Sequence, residues 1–344
     1  MHKKPIQGAL LALLAWLAGP AWADRTKSDV VYLANGDRVT GEIKTLDYAS
    51  LKIETSNMGT ISIEWPAVLK VTSPQSFTIE DRHGGKYTGS FGETGNNQLS
   101  IALAEGDRVA LPLADVVRVS PIEAGFLNRI NGSLAVGLNY TNSSDTGVAS
   151  LNFTANYRSP NIESTLKLSM NTTKTDEGTS DRDQIANSTR FLRPRKQYWN
   201  VLSSIDRNEE LGIDARIQLG AGYGRHLVQS AHTALDGTLG LSFNNEWSTG
   251  QEGSNQSLEG VINAEWHVFR FSDPETSLVS TLSVFPSLTE SKRWRSQFDI
   301  TLSRDFFKDF TLDLTYFNSY DSNPPDAEAG HKDYGIVTSL SYKF

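Results

Sequence analysis

Cysteine is absent from the 344-residue chain, and this absence excludes several classes of protein. Without a thiol there can be no disulfide framework, no thiolate metal site and no cysteine nucleophile. Acylation at a cysteine, the anchor of lipoproteins, is excluded as well. Packing, hydrogen bonds and ion pairs must therefore hold the fold together.

An excess of basic residues is also absent. Lysine and arginine number 32 against 40 aspartate and glutamate residues, which gives a formal net charge of −8. An acidic chain without a basic stripe is a poor candidate for binding nucleic acid. We therefore predict no nucleic-acid partner.

Long apolar runs are missing too, apart from one near the N-terminus. Residues 9–18 are apolar, a basic segment precedes them, and Ala21 and Ala23 follow with the spacing that signal peptidase cleaves. The run is shorter than the roughly 20 residues that a spanning helix needs. We therefore predict a signal peptide over residues 1–23, and its removal with two lysines would change the charge from −8 to −10.

An internal repeat with an offset of 48 residues lies between residues 29 and 121. Seven positions match without a gap: Gly41 and Gly89, Leu51 and Leu99, Ile53 and Ile101, Ile63 and Leu111, Val68 and Val116, Lys70 and Arg118, Val71 and Val119. Alternation of apolar and polar residues predicts about five short strands in each copy. We predict two SH3/Sm-like small β-barrels, over 29–74 and 75–121. Their role is open between a periplasmic adaptor, which would bind a protein partner, and a mechanical spacer.

A different pattern of apolar and polar residues begins in the region 125–344. Segments of about ten residues or more alternate apolar with polar side chains, which requires strands with one apolar face. Short connections, such as 159–161, alternate with longer polar ones, such as 175–181, and 225–232 is a longer member of the short set. This arrangement is typical of outer-membrane barrels. We predict an all-β fold with a transmembrane antiparallel barrel of about 12 strands.

The last predicted strand carries a further signal. Ile336, Leu340, Tyr342 and the final residue, Phe344, share one parity. This pattern looks like the C-terminal signature by which the barrel-assembly machinery recognises its substrates. An even strand count would leave both ends of the barrel, and the repeats before it, in the periplasm. We predict a location in the outer membrane, in contact with its lipid and lipopolysaccharide.

These features together resemble a known family. The alternating region, its terminal Phe344 and the preceding tandem units, the first of which opens with Asn35-Gly36-Asp37, are similar to the salt-induced outer membrane proteins. These are Gram-negative β-barrels classed as a domain of unknown function. The resemblance implies an envelope barrel and implies no catalytic motif.

Charged residues lie on the parity that would face the lumen if the apolar parity faces lipid. They are of both signs: Lys167, Asp214, Arg216, Glu259, Glu265, His267, Arg293, Arg295, Asp299 and Asp313. In a narrow barrel such side chains either pair and fill the interior or tune the selectivity of a small pore. We predict a structural protein or a narrow hydrophilic channel, without a cofactor or a metal site.

An outer-membrane lipid hydrolase, such as a lipase or a lipid-A modifying enzyme, is the alternative function. It would need a nucleophile or a metal beside a base near the outer rim. His226 and His232 fall in a predicted periplasmic connection, His331 has no evident serine partner, and His267 falls near the periplasmic end of its strand. We therefore predict no catalytic residue.

Overall fold

The structure is a computed structural model. It describes residues 27–92, 97–103, 106–122, 129–141, 146–175, 178–248, 253–272, 274–307, 310–324 and 330–343. These residues form strands joined by turns and short 3-10 segments. No helix in this part of the chain is long and apolar enough to cross a membrane.

The N-terminal module consists of nine strands. Their bounds are β1 Asp29–Leu33, β2 Arg38–Asp47, β3 Ser50–Thr55, β4 Gly59–Glu64, β5 Val68–Asp81, β6 Lys86–Gly92, β7 Gln98–Leu103, β8 Arg108–Pro112 and β9 Val116–Pro121. The order in the sheet is β4-β3-β2-β1-β5-β6-β7-β8, and β9 pairs with β2 and β5. A 3-10 turn precedes the last strand segment of each copy, at Trp65–Ala67 and Leu113–Asp115.

The two copies of the repeat share one hydrophobic core. Buried residues from both halves form a single cluster that includes Ile53 of the first copy and Ile101 of the second. Trp65 donates from its indole nitrogen to the Leu113 carbonyl oxygen at 2.7 Å, which ties the copies together. The predicted boundary after residue 74 lies within β5, which continues through it with a register irregularity. The copies are therefore halves of one module.

The C-terminal region forms a closed barrel of 12 antiparallel strands, as predicted. Their bounds are β10 Ile130–Thr141, β11 Thr146–Arg158, β12 Ile162–Thr175, β13 Gly178–Arg193, β14 Gln197–Asn208, β15 Ile213–Gln229, β16 Thr233–Ser248, β17 Asn255–Arg270, β18 Thr276–Pro286, β19 Trp294–Phe307, β20 Phe310–Asp321 and β21 Lys332–Lys343. The ring closes where β10 pairs with β21, with Val136 opposite Leu340.

The outward face of the barrel is apolar. Exposed large side chains alternate along the strands, for example Leu239, Leu241 and Phe243 on β16. Aromatic residues pair near both rims, including Trp199 with Tyr223 and Trp294 with Tyr320. An apolar exterior around a polar interior is the architecture of a β-barrel that spans a membrane. We call the end that holds the start of β10 and the finish of β21 the inner end, and the opposite one the outer end.

The connections follow the predicted alternation with two corrections. The predicted loop at 175–181 is shorter than expected, because β12 and β13 pair as far as Thr175 and Gly178. The predicted inner connection at 225–232 is also shorter, because β15 continues to Gln229 through a bulge near His226. A bulge breaks the period of two, so the alternation ends before the strand does.

A tyrosine packs onto a glycine in the barrel wall. Tyr198 on β14 is opposite Gly224 on β15, and the tyrosine side chain is 0% exposed. Its hydroxyl also lies 2.9 Å from Thr238 Oγ1. A Cβ added at Gly224 would overlap the tyrosine ring. Only glycine leaves room for the ring, so the pair fixes the packing of this wall.

We expect Gly224→Ala to lower the free energy of unfolding by about 1–3 kcal/mol through overpacking, and Tyr198→Ala by about 3–5 kcal/mol through loss of a buried ring. The double variant should lower the free energy of unfolding by less than the sum of the two single effects, because the added Cβ has no ring to clash with once Tyr198 is removed. Urea titrations followed by the gel shift between folded and unfolded barrel measure these changes. Gly237→Ala is the control, since its added Cβ meets only the Leu227 side chain at 3.3 Å. Additive effects of the two substitutions would contradict the packing described.

Candidate functional site

An ion-pair chain crosses the lumen near the outer end. Arg216 on β15 donates from Nε to Glu246 Oε2 on β16 at 2.6 Å. Arg293 donates from Nη2 to Glu246 Oε1 at 3.1 Å and to Asp321 Oδ2 on β20 at 2.7 Å. Arg293 and Asp321 are only 4% and 1% exposed. These four residues, the outer ion-pair chain, join β15 to β20, which lie on well-separated sides of the closed ring.

A small polar cavity lies beside the outer ion-pair chain. Its volume is about 70 Å³, and it is lined by polar side chains that include Arg182, Gln184, Asp206, Gln218, Arg295 and Ser319. A water molecule needs roughly 10–15 Å³ of such volume, so the cavity can hold several. Arg295 borders it and donates from Nε to Glu259 Oε1 at 2.9 Å. The lumen beside the outer ion-pair chain thus holds polar side chains and has room for water.

A second group of charges lies nearer the inner end. Arg190 on β13 donates to Asp236 on β16 and to Glu265 on β17, each at 2.7 Å. Each of those carboxylates also meets a histidine at 2.7 Å, His226 for Asp236 and His267 for Glu265. These five residues, the inner cluster, all belong to β13–β17. The cluster therefore narrows the lumen from one side of the wall.

Two predicted lumen residues lie between these groups. Lys167 on β12 is exposed, and Asp299 on β19 is half-buried. Electrostatic interactions connect Lys167 with both Asp299 and Glu265. Within the described residues, neither Lys167 nor Asp299 takes part in a direct ion pair. Charges of both signs thus remain accessible to water in the middle of the lumen.

The N-terminal module binds the inner mouth of the barrel through buried charges. Arg118 on β9 lies 3.6 Å from Glu163 on β12 and 4.0 Å from Glu80 on β5. Glu80 in turn lies 3.3 Å from Arg158 on β11, and Arg158 also pairs with Glu163. Arg118 is 8% exposed. Two residues of the module and two of the barrel therefore alternate in sign across the interface.

The second copy of the repeat also approaches two inner turns closely. Lys86 donates from Nζ to the Pro160 carbonyl oxygen, in the β11–β12 turn, at 2.6 Å. Gly84, whose φ is +85°, lies so close to the β13–β14 turn that an added Cβ would be 2.9 Å from Lys196 Cγ. A backbone approach of this kind requires a residue without a side chain.

The first copy contributes an apolar contact at the same mouth. Tyr48 lies at the tip of the β2–β3 hairpin with φ of +53°, and its ring centroid is 5.0 Å from that of Phe269 on β17. Phe271 and Ala231, from inner turns of the barrel, pack against the hydrophobic core of the module. Module and barrel therefore share apolar packing as well as charges.

The docking of the module should weaken in acid. Burial would raise the pKa of the Glu80 carboxyl, but attraction to Arg118 and Arg158 outweighs burial and holds the pKa below its ordinary value of 4.5. A carboxyl whose pKa is lowered in the docked state contributes its full stabilisation at pH values above the ordinary pKa. The contribution is lost as the pH falls from the ordinary pKa through the lowered pKa. We expect hydrogen exchange in residues 86–92 to quicken below about pH 4.5, after correction for intrinsic rates. Glu80→Gln should remove most of this pH dependence, and an unchanged profile would contradict it.

The predicted lumen residues fall into the groups described. Arg216 and Arg293 belong to the outer ion-pair chain, and Glu265 and His267 to the inner cluster. Arg293 lies one residue before β19, in the outer connection, and not within the strand as the alternation implied. Asp214 lies at an irregularity near the outer end of β15 and is exposed. The prediction missed Arg182, Arg190, Asp236, Glu246 and Asp321. Their signal was a parity opposite to that of the exposed apolar residues on their own strands.

Two of the histidines considered for a lipid hydrolase, His226 and His267, lie within the lumen. His226 is part of β15, not of an inner connection, and its partner is Asp236 inside the lumen. His267 likewise pairs with Glu265 inside the lumen. Both pairs lie in the inner half, away from the outer rim. In the described residues no group of three or more histidine, aspartate or glutamate side chains is arranged to hold a metal ion.

The predicted recognition signals are described only in part. Ile336, Leu340 and Tyr342 all lie exposed on the outward face of β21. Phe344 and the predicted cleavage site at Ala21 and Ala23 lie outside the described residues.

Residues 131–344, the region of the barrel, match the model of a family described as "protein of unknown function, DUF481". The chain belongs to the DUF481 family. This confirms the resemblance to a barrel family of unknown function. Among curated proteins, none matches this DUF481 chain.

Several solved structures are similar to this DUF481 protein at low identity, and each covers 62% of the chain. The NanC porin is matched over 100% of its length with 9% identity and a TM-score of 0.38. An outer membrane channel from Pseudomonas putida F1 is matched over 93% with 12% identity and a TM-score of 0.35. The translocator domain of the autotransporter NalP from Neisseria meningitidis is matched over 88% with 14% identity and a TM-score of 0.34.

Proposed function

We propose that this protein is an outer-membrane β-barrel that forms a narrow hydrophilic channel, closed in its resting state. The outer ion-pair chain carries the proposal, because it places Arg293 between carboxylates on β16 and β20. Solutes that enter from the outer end would meet this chain first and the inner cluster next. The module would cover the inner mouth behind them.

The charged interior favours a channel over a purely structural barrel. Buried ion pairs gain little stability over well-packed apolar residues of similar volume. A barrel that needed only a filled interior would therefore be about as stable with apolar side chains inside. The polar cavity, together with Lys167 and Asp299 in the middle of the lumen, supports a hydrated path.

The module would lie in the periplasm as an SH3/Sm-like adaptor. The barrel has an even number of strands, so β10 begins and β21 finishes at the same end. Short turns occur at that end, as at the periplasmic side of outer-membrane barrels. In each copy, a 3-10 turn before the last strand segment supports the SH3-like assignment. The exposed row of Ile336, Leu340 and Tyr342 would serve recognition by the barrel-assembly machinery, and the apolar exterior would contact lipid and lipopolysaccharide.

Swelling of proteoliposomes in small sugars and salts tests the channel. We expect vesicles with the wild-type protein to stay impermeable, and the double variant Arg216→Ala/Arg293→Ala to admit small solutes. Arg225→Ala, which removes an exposed charge, is the control. Folded double-variant barrels that remain impermeable would refute the channel and leave the structural role.

A further inference from the structure

The internal repeat makes two faces of the module equivalent. The offset of 48 residues places Tyr32 on Glu80, Arg38 on Lys86 and Lys70 on Arg118. The strands preserve this relation, because Tyr32 is opposite both Arg38 and Lys70. Glu80 is likewise opposite both Lys86 and Arg118. Each copy therefore presents one central residue flanked by two cations on neighbouring strands.

In the second copy this face is occupied by the barrel. Arg118 lies 3.6 Å from the Glu163 carboxylate, and Lys86 donates to the Pro160 carbonyl oxygen at 2.6 Å. The occupant is thus a peptide segment that offers a carboxylate and a main-chain carbonyl oxygen to the two cations. Its Arg158 also pairs with Glu80, at the position that Tyr32 holds in the first copy. Carboxylates and carbonyl oxygens are the groups that lysine and arginine generally bind in peptides.

In the first copy the equivalent face is open. Arg38 and Lys70 lie 6.0 and 5.7 Å from the centroid of the Tyr32 ring. Arg38 is exposed, and Lys70 and Tyr32 are half-buried. Among the described residues, neither cation forms an ion pair with a carboxylate. Two uncompensated positive charges thus stand together on a chain whose formal charge is −8.

The open face also lies far from the barrel. Lys70 and Glu80 are on the same strand, β5, ten residues apart. At about 3.3 Å per residue the two faces are separated by roughly 30 Å along the strand. A ligand on the first copy would therefore bind near the end of β5 opposite the one that meets the barrel.

We propose that Tyr32, Arg38 and Lys70 form a binding surface for the carboxylate-bearing peptide stems of the cell wall. The inference rests on the proposed periplasmic position of the module. Wall peptides repeat carboxylates and carbonyl oxygens along a polymer, which is the chemistry that the second copy binds in the barrel turn. A polymer also suits a face at the end of β5 opposite the barrel.

Co-sedimentation of the full-length protein in detergent with purified cell-wall sacculi tests the inference. We expect Arg38→Gln/Lys70→Gln to reduce the bound fraction roughly tenfold or more, because two charge-assisted contacts are lost. The matched control is Lys52→Gln/Arg108→Gln, which removes two exposed cations elsewhere on the module and should bind like the wild type. Amidation of the sacculus carboxylates should abolish binding. The gel shift confirms that all variants remain folded.

An equal loss of sacculus binding in both double variants, or no binding by the wild type, would contradict the proposed binding surface. Binding to soluble polyglutamate but not to sacculi would overturn the wall assignment in favour of an acidic protein partner. The purified assay does not depend on whether the barrel conducts. Failure of the periplasmic position would instead appear as cleavage of the module by protease added to intact cells.

Discussion

Arg118→Ala is expected to release the N-terminal module from the inner mouth of the barrel. The guanidinium lies between Asp47 at 2.9 Å, Glu163 at 3.6 Å and Glu80 at 4.0 Å. Its removal leaves these carboxylates facing one another without a positive charge from the module. Loss of one partner from a buried ion pair typically costs about 3–5 kcal/mol. Arg118 also lies 4.9 Å from the Tyr48 ring, so the apolar contact loses support as well.

The absence of native cysteine makes this release measurable. Cysteines placed at Lys86 and Pro160 would lie within reach of a flexible thiol cross-linker, since Lys86 Nζ lies 2.6 Å from the Pro160 carbonyl oxygen. We expect efficient cross-linking in the wild-type background and a yield at least roughly tenfold lower with Arg118→Ala, consistent with a loss above 1.4 kcal/mol. Arg108→Ala, an exposed residue of the same module, is the control. Equal yields in Arg118→Ala and the control would contradict the role of Arg118 in docking.

Arg293→Ala should turn the outer lumen into a cation-selective passage. Arg293 contacts Glu246, Glu290 and Asp321, and all three carboxylates lose a cation when it is removed. The connection between β15 and β20 is then reduced to one weak contact, because Arg216 lies 3.9 Å from Asp321. Carboxylates that outnumber the cations at a constriction attract cations and repel anions. This one substitution is therefore expected both to open the lumen and to make it selective for cations.

Reversal potentials across a salt gradient measure that selectivity. We expect Arg293→Ala to favour cations strongly. Arg293→Ala/Glu246→Gln/Asp321→Asn, which removes the charges together, should conduct with weak selectivity. Arg225→Ala should resemble the wild type, since Arg225 is exposed. Anion selectivity in Arg293→Ala would contradict the assignment of these carboxylates to the lumen.

The barrel itself could be predicted from the sequence because its wall obeys a local rule. Lipid on one side and polar groups on the other impose a period of two on every strand, as in Leu239, Leu241 and Phe243. The rule fails where the backbone departs from it. The bulge near His226 shifts the parity, so a strand end was interpreted as a connection. β5 likewise continues through the predicted boundary after residue 74, with a register irregularity between Ser73 and Ser76.

The ion pairs could not be predicted, because they depend on how far each strand is displaced along its neighbours. Arg190 meets Asp236 and Glu265, which follow it by 46 and 75 residues. Parity alone shows that such residues face the lumen and leaves their heights along the axis undetermined. The docking of the module depends likewise on a fit between hairpin tip and barrel mouth. The sequence identified the two parts and gave no sign that Tyr48 meets Phe269.

Conductance of single wild-type molecules in a planar bilayer tests the closed channel most directly. The full-length wild-type protein and Arg293→Ala are inserted separately, after a gel shift has confirmed that each is folded. Their currents are recorded at the same voltages. We expect no current from the wild type and stable current steps from the variant. Stable steps of equal size from both proteins would show that the outer ion-pair chain does not close the lumen.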